Sequence, residues 1–387
     1  MVQLVAAKHR GGSFSALQKV WRDLGSSLYE IPSKSSFSEY RGKVSSHFFE
    51  DIFKEDLIRL QPSRKTYRGL YVYAVDGDEL HLPASSPILG KGYRGRKLSS
   101  NLETHYPHLM TAQAVDVING QVRCFKAGAP PDGEYRLGVQ MAEELEQESV
   151  AIYDRVYCTY ELAHRHMKAG NYFLVRVPEK KAIQDEIKKF RLSRKCSQEI
   201  LLGPAKSRSD WRGYPSYKVR LVRIKNPRTK RPMMFMTNLP ELSWRSEDVA
   251  RLYRRRWEIE TSFRDLTSTL QMTLWRSKSM NGILQEVYAL LWVINQVRGR
   301  AQGLTVRMKT WLEDEYRKSN FKLLVGCFAD DLGLLVHGKK RRFHRLFDHL
   351  VWATSERRHR LSRSYPRQIK MHRSKYKSAS LIQRRGA

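Results

Sequence analysis

Apolar residues follow two different spacings along this chain, and the change of spacing marks out its elements. In SKSSFSEYRGKVSSHFFEDIF, serines precede apolar residues at helical intervals, so residues 13–60 are expected to be helical. The period then drops to two. GLYVYAVDGDELHLP alternates and carries an Asp-Gly turn signal, as a strand or hairpin arm does. PHLMTAQAVDVING and QVRCFKAGAP predict two more strands joined by an Asn-Gly turn. YRLGVQMAEELEQE predicts a short helix, and SVAIYD a buried strand stopping at Asp154. YELAHRHMKAG reads as a helix with a glycine cap, and NYFLVRV as a strand. Residues 70–176 therefore predict three strands, helix, strand, helix, strand.

From about Lys180 to Tyr217 the pattern dissolves into basic, polar sequence. The β-rich stretches YKVRLVRI and RPMMFMTNLP follow, so this region is expected to interrupt the core as an insertion. A long helix is predicted from near Ser246 through YRRRWEIETSFRDL, and an apolar helix over about 282–300. No internal repeat is visible.

Charge narrows the class. Among 387 residues, 71 Lys and Arg face 39 acids, for a formal net charge of +32. Such a charge opposes compaction unless a polyanion neutralises it, which points to nucleic acid. An anionic membrane surface is the rival. ILQEVYALLWVINQV, interrupted by Gln285, Glu286, Asn295 and Gln296, falls short of the ~20 apolar residues a span needs. The amino terminus lacks the apolar core of a secretory signal. Cys124, Cys158, Cys196 and Cys327 lie far apart without a CxxC pair, as expected of reduced thiols in a cytoplasmic protein. The last 49 residues, from Lys339, hold sixteen Lys and Arg against two acids. That composition suits a phosphate backbone better than a core.

The helix from Ser246 carries the most chemistry. At about 100° per residue, Tyr253, Arg256, Glu260 and Thr267 share a strip about 60° wide, bordered by Arg264 and Trp257. Leu252, Ile259, Phe263, Leu266 and Leu270 form a separate apolar strip. Taken alone, Glu260 has the simpler reading of a surface acid paired with Arg256 or Arg264 at i±4. Asp76 on the first strand and Asp154 at the end of the fourth shift the balance. In a mixed sheet whose first and fourth strands are neighbours, both converge on one edge, where Glu260 would complete a cluster. Crowded carboxylates with open coordination suit Mg²⁺, and two ions about 4 Å apart serve in-line phosphoryl displacement. Arg256 and Tyr253 would then hold backbone phosphates.

Other signals are weaker. GKGYRGRKLSS (90–100) lacks P-loop spacing and suits a surface loop that touches DNA or nothing. His105 and His108 lack cysteine partners for zinc. Asp116 and Asp78 suit turn caps better than further ligands. Trp211 and Trp244 suit core or interface positions, with base stacking as the alternative.

YRRRWEIE has the Tyr-x2-Arg-x3-Glu signature and resembles DDE transposases of the insertion-sequence-four family. AVDGDELHLP is similar to the family's first-aspartate strand, giving Asp76, and AIYDRVYCTYEL to its second, giving Asp154. The similarity runs from roughly Ser36 to Lys377. It implies an α/β, ribonuclease-H-like mixed sheet with flanking helices and a β-rich insertion. The implied organisation is a helical DNA-binding region over 1–65, the first part of the core over 66–177, the insertion over 178–240, core completion over 241–305 and a basic carboxy-terminal region over 306–387. It further implies Asp76, Asp154 and Glu260 as catalytic metal ligands for two Mg²⁺, with Mn²⁺ an alternative ion, and Tyr253, Arg256 and Arg264 as DNA contacts. The implied activity is cleavage at transposon ends and strand transfer to target DNA. The implied partners are double-stranded DNA, namely terminal inverted repeats and target, and a second copy in a synaptic dimer; the expected location is the bacterial cytoplasm, at the nucleoid. One position departs: the signature's closing Lys is Thr267 here, and Arg264, one turn earlier, is the candidate substitute. A nuclease without strand transfer, and a non-catalytic or decayed DNA-binding descendant, are the alternatives.

Overall fold

Three strands lie parallel at the centre of one eight-stranded sheet, and antiparallel strands extend it on both sides. The computed structural model describes residues 31–357, together with Gln18, Trp21 and Arg22, except for short stretches within 96–105, 130–132, 180–184, 205–208, 226–231, 271–273 and 312–316. Most of the 13–30 part of the region expected to be helical (13–60), His105, part of the 90–100 loop and the basic residues beyond 357 fall outside the described residues.

The amino-terminal helices are α1 (Lys34–Lys43) and α2 (Ser46–Leu60). Ser33 and Ser45 cap them, their hydroxyls accepting from the Ser36 and His47 amides. The core then runs β1 (Tyr71–His81), β2 (His108–Asp116), β3 (Gln121–Gly128), α3 (Glu134–Gln140), β4 (Ser149–Tyr153), α4 (Tyr160–Ala169) and β5 (Tyr172–Arg176). These follow the predicted order, and the sheet arranges their strands as β3-β2-β1-β4-β5 with β2 reversed, the ribonuclease-H-like pattern.

The next region contains more order than its composition suggests. Helix α5 (Asp185–Leu192) and strand β6 (Ser197–Leu202) occupy the stretch expected to be patternless. Their signal is short: Ile187 and Phe190 alone bury the helix. With β7 (Tyr217–Lys225) and β8 (Pro232–Thr237) they extend the same sheet, in the order β5-β8-β7-β6.

Two further expectations change. The Asp-Gly at 77 is no turn, because β1 continues to His81 with Gly77 opposite Ala112 and Asp78 opposite Thr111. Gly77 serves a close approach instead: a Cβ there would lie 2.5 Å from the Glu134 Cβ. The predicted long helix is broken into α6 (Ser246–Arg254) and α7 (Trp257–Arg264), followed by a π-turn over Asp265–Thr269. At the break, the Arg255, Arg256, Glu258 and Ile259 amides bond three residues back rather than four.

Helix α8 (Met280–Trp311) buries Gln285, Glu286 and Asn295, three of the four polar residues that interrupt its apolar run, and leaves Gln296 half-buried. Arg41 reaches Gln285 at 3.0 Å and Glu286 at 2.9 Å, and Asn295 bonds both the amide and carbonyl of Val122. Helices α9 (Phe321–Val336) and α10 (Lys340–Ala353) pack beside it. Thus part of the basic carboxy-terminal stretch does contribute to the core: Phe343, Phe347 and Val351, four apart, are buried. One apolar stripe suffices for a helix, and the basic residues take its other faces. No helix among the described residues is long and apolar enough to cross a membrane. The four cysteines, all among the described residues, form no disulfide.

Strand alternation divides the core in two. Val72, Ala74 and Ile152 face a cluster built with α2 and α6 to α10, whereas Tyr73, Val75 and Tyr153 face one built with α3, α4 and α5.

Candidate active site

In the parallel pair β1–β4, Val75 is in register with Tyr153. Asp76 and Asp154 are the next residues, where the parallel pairing stops: β4 ends there, while β1 runs on to His81 paired with β2 alone. Period-two alternation puts both on the face covered by α6, α7 and α8. The crevice beyond the carboxyl ends of parallel strands is where open α/β sheets bind ligands.

The tight turn between α6 and α7 brings the signature residues to that edge. With i→i−3 bonding, residues three apart eclipse, so Tyr253 and Arg256 point the same way. Tyr253 is only 8% exposed, its ring 4.6 Å from that of Phe235, and it lies within the core rather than on a solvent face. Burial, ahead of the opposing effect of Arg256, pushes its hydroxyl up to about 12. Leu252, Ile259, Leu266 and Leu270 are buried as their strip predicts, with Phe263 partly so.

Arg256 links two of the predicted acids. Its Nη1 lies 3.2 Å from Asp76 Oδ2 and its Nη2 3.1 Å from Glu260 Oε1; the arginine side chain is 11% exposed and that of Glu260 45%. Asp76 also accepts from the Gly77 amide at 3.0 Å. Burial raises the Asp76 carboxyl to about 6; Arg256 and the Gly77 amide oppose the shift, while Glu134 and Asp154 add to it. Burial disfavours the charge on Arg256, but Tyr253, Asp76, Asp154 and Glu260 outweigh it and hold the guanidinium above its ordinary value. Arg256 thus pairs with Glu260 at i+4, as the simpler sequence reading had it, and with Asp76 as well.

Glu134, a residue the sequence reading passed over, stands at the same edge. It opens α3, half-buried, and its side chain presses on the backbone at Gly77. Gly138 lets the helix close on Tyr157, whose hydroxyl donates to the Glu134 carbonyl at 3.2 Å. Burial, then Asp154 and Asp78, raise the Glu134 carboxyl. The only sequence signal was an acid in the first turn of a helix, which dipole compensation alone explains.

Hard oxygen donors short of positive charge suit a divalent cation. The donor chemistry of Asp76, Asp154 and Glu260 therefore fits one. Their arrangement is not closed: among the described residues no three His, Cys, Asp or Glu side chains stand in ligand geometry, and Arg256 spans Asp76 and Glu260.

The other candidates separate clearly. Arg264 is exposed and donates to the Thr261 hydroxyl at 3.2 Å, while the Thr267 hydroxyl is turned to the Phe263 carbonyl at 2.8 Å. Asp78 accepts from the Glu79 amide, and Asp116 caps its turn through the Ile118 and Asn119 amides and pairs with Arg64 at 2.7 Å. His108 pairs with Glu79 at 2.7 Å. Trp244 is buried; Trp211 joins Tyr160, His164 and Tyr214 in an aromatic cluster. Beside Tyr253, a groove of about 860 Å³ between α6 and strands β7 and β8 is rimmed by Arg194, Lys225, Arg251 and Arg254.

The transposase DDE domain family profile matches residues 67–296, which include Asp76, Asp154 and the whole Tyr253–Glu260 signature. The chain is 24% identical over 236 residues to transposase InsG of insertion sequence element IS4 from Escherichia coli strain K12, covering 59% of this chain and 52% of that relative's length. It spans about half of that relative. Among solved structures, the piggyBac transposase in a synaptic complex with hairpin DNA overlays 82% of this chain and 62% of its own at 12% identity, with a TM-score of 0.42.

Proposed function

Since this chain belongs to the transposase DDE domain family, we propose that it cuts DNA at the ends of a mobile element and joins the freed 3′ ends to target DNA. The observation that carries this reading is the placement of Asp76 and Asp154 just past the last paired residues of two neighbouring parallel strands, with Glu260 joined to Asp76 through Arg256.

Asp76, Asp154 and Glu260 would hold Mg²⁺ or Mn²⁺. Bound divalent ions supply positive charge for the attacking and leaving oxygens of a phosphoryl displacement. The protein's own groups do the rest. Arg256 grips a phosphate by its planar fork, and Tyr253 beneath it fixes the direction of that fork. Arg264, exposed on the next turn, takes the phosphate contact that Thr267 cannot make. Double-stranded DNA lies along the basic groove, with one protomer's core, residues 66–177 and 241–305, serving one element end. The insertion 178–240 widens the sheet that carries the site, and a second copy brings the other end.

The test uses duplexes cut from the flanks of this protein's own gene, incubated with Mg²⁺ and the full chain. Cleavage and joining of pre-cleaved ends are expected, with each of Asp76→Ala, Asp154→Ala and Glu260→Ala lowering both at least ~10³-fold. Arg264→Ala should weaken end binding without altering the fold. Cleavage without joining would favour a nuclease; binding unaffected by all three substitutions, with no cleavage, would leave a non-catalytic DNA-binding protein.

A further inference from the structure

Arg256 occupies the place a cation would take. Its guanidinium spans carboxylates from two elements, β1 and α7, at 3.2 and 3.1 Å, with the arginine side chain 11% exposed. Yet its own needs are incompletely met: Nε is buried without a hydrogen-bond partner. A guanidinium has five N–H donors in a rigid fork, so one unmet donor in a buried fork marks a side chain not fully satisfied where it sits. The groups facing it are Tyr253 from α6, Asp76 from β1, Asp154 after the end of β4, Glu260 from α7 and the Trp257 ring, 5.3 Å from its guanidinium carbon. It springs from the turn at 255–256, where the helix is interrupted.

We propose that Arg256 is a gate which makes cation loading conditional on DNA: without DNA it bridges Asp76 and Glu260, and a backbone phosphate draws it off and frees both carboxylates. This rests on the reading of Asp76, Asp154 and Glu260 as the metal site. One arginine cannot bridge the two acids and grip a phosphate at once. A phosphate offers the fork two parallel charge-assisted bonds to one group, replacing single contacts to two acids. A cation arriving first must break both ion pairs and leave the guanidinium with only Tyr253, the Trp257 ring and a competing Asp154 beside it. DNA arriving first removes that obstacle, so an idle copy of so basic a protein does not load metal away from its substrate.

The test measures Mn²⁺ binding to the full-length protein at fixed salt, by paramagnetic resonance of free Mn²⁺, without DNA and with a short duplex whose own binding is subtracted. Arg256→Gln should bind Mn²⁺ about tenfold more tightly than wild type in the absence of DNA, the scale of one released charge-assisted contact. The duplex should tighten Mn²⁺ binding markedly in wild type and far less in Arg256→Gln. Arg256→Lys, whose single ammonium cannot span both acids, should fall between, and guards against a folding defect in the glutamine variant. Asp76→Asn should abolish the tight Mn²⁺ site in every background. If Arg256→Gln and Arg256→Lys bind Mn²⁺ no better than wild type while Asp76→Asn abolishes binding, the gate is overturned and the metal site stands. If Asp76→Asn leaves Mn²⁺ binding unchanged, the metal-site reading fails and the gate with it.

Discussion

Gly77 interrupts a strand of large residues beside Asp76, and its role lies in what it omits. An added Cβ would meet the Glu134 Cβ at 2.5 Å and the Thr111 carbonyl at 3.1 Å, so neither a rotamer change nor a local shift accommodates it easily. Gly77→Ala is expected to push α3 off the sheet and to destabilise the protein by roughly 1–3 kcal/mol, the usual range for overpacking. Urea unfolding checks this. A loss below about 0.5 kcal/mol would mean that α3 yields without cost. The same residue shows why Glu134 escaped notice in the sequence. Asp-Gly ordinarily signals a turn, and only the neighbour across the sheet reveals that the glycine makes room for a carboxylate.

At the scale of elements, the junction of β4 and α4 is held by a buried polar network. His166 is fully buried, with Nε2 2.9 Å from the Tyr153 hydroxyl and Nδ1 against the Asn171 side chain. Burial lowers its pKa to about 4, opposed in part by the Asn171 bond. The folded state therefore takes up this proton less readily than the unfolded chain, whose histidine titrates near 6.5. Stability from neutral His166 is present above pH 6.5 and is lost as the pH falls toward 4. Denaturant titrations at several pH values should show wild type losing stability through that window more steeply than His166→Gln; parallel curves would refute it. Most elements of this core were legible in the sequence, because their faces are amphipathic and their ends are capped by Ser33, Ser45 and Gly170. The break at 255–256 was not. A tightened turn costs no apolar residue its place, so the leucine strip looks the same with or without it.

For the molecule as a whole, a net charge of +32 dominates encounters with other polyelectrolytes. DNA binding should fall about a thousandfold or more between roughly 50 and 200 mM salt if several phosphates are neutralised. Fluorescence anisotropy with a labelled duplex measures this, and a shallow slope would mean that few of the basic residues touch DNA. Removing Lys225 and Arg254 together, on the rim of the groove beside Tyr253, should reduce the slope by about two phosphate equivalents.

What the amino-acid order determined by itself is the succession of strands and helices, an acid on the first strand and another ending the fourth, and the apolar strip beneath Glu260. Those follow from periods of 2 and 3.6 residues and from capping, which act over a few neighbouring positions. Only the tertiary structure decided that Arg256 lies between Asp76 and Glu260, that Glu134 rests on Gly77, that β6 to β8 widen the core sheet, and that α10 buries three residues of a basic stretch. Each of these depends on segments far apart in the chain meeting at a particular distance. A local pattern states which face of an element is apolar, and leaves open what that face will meet.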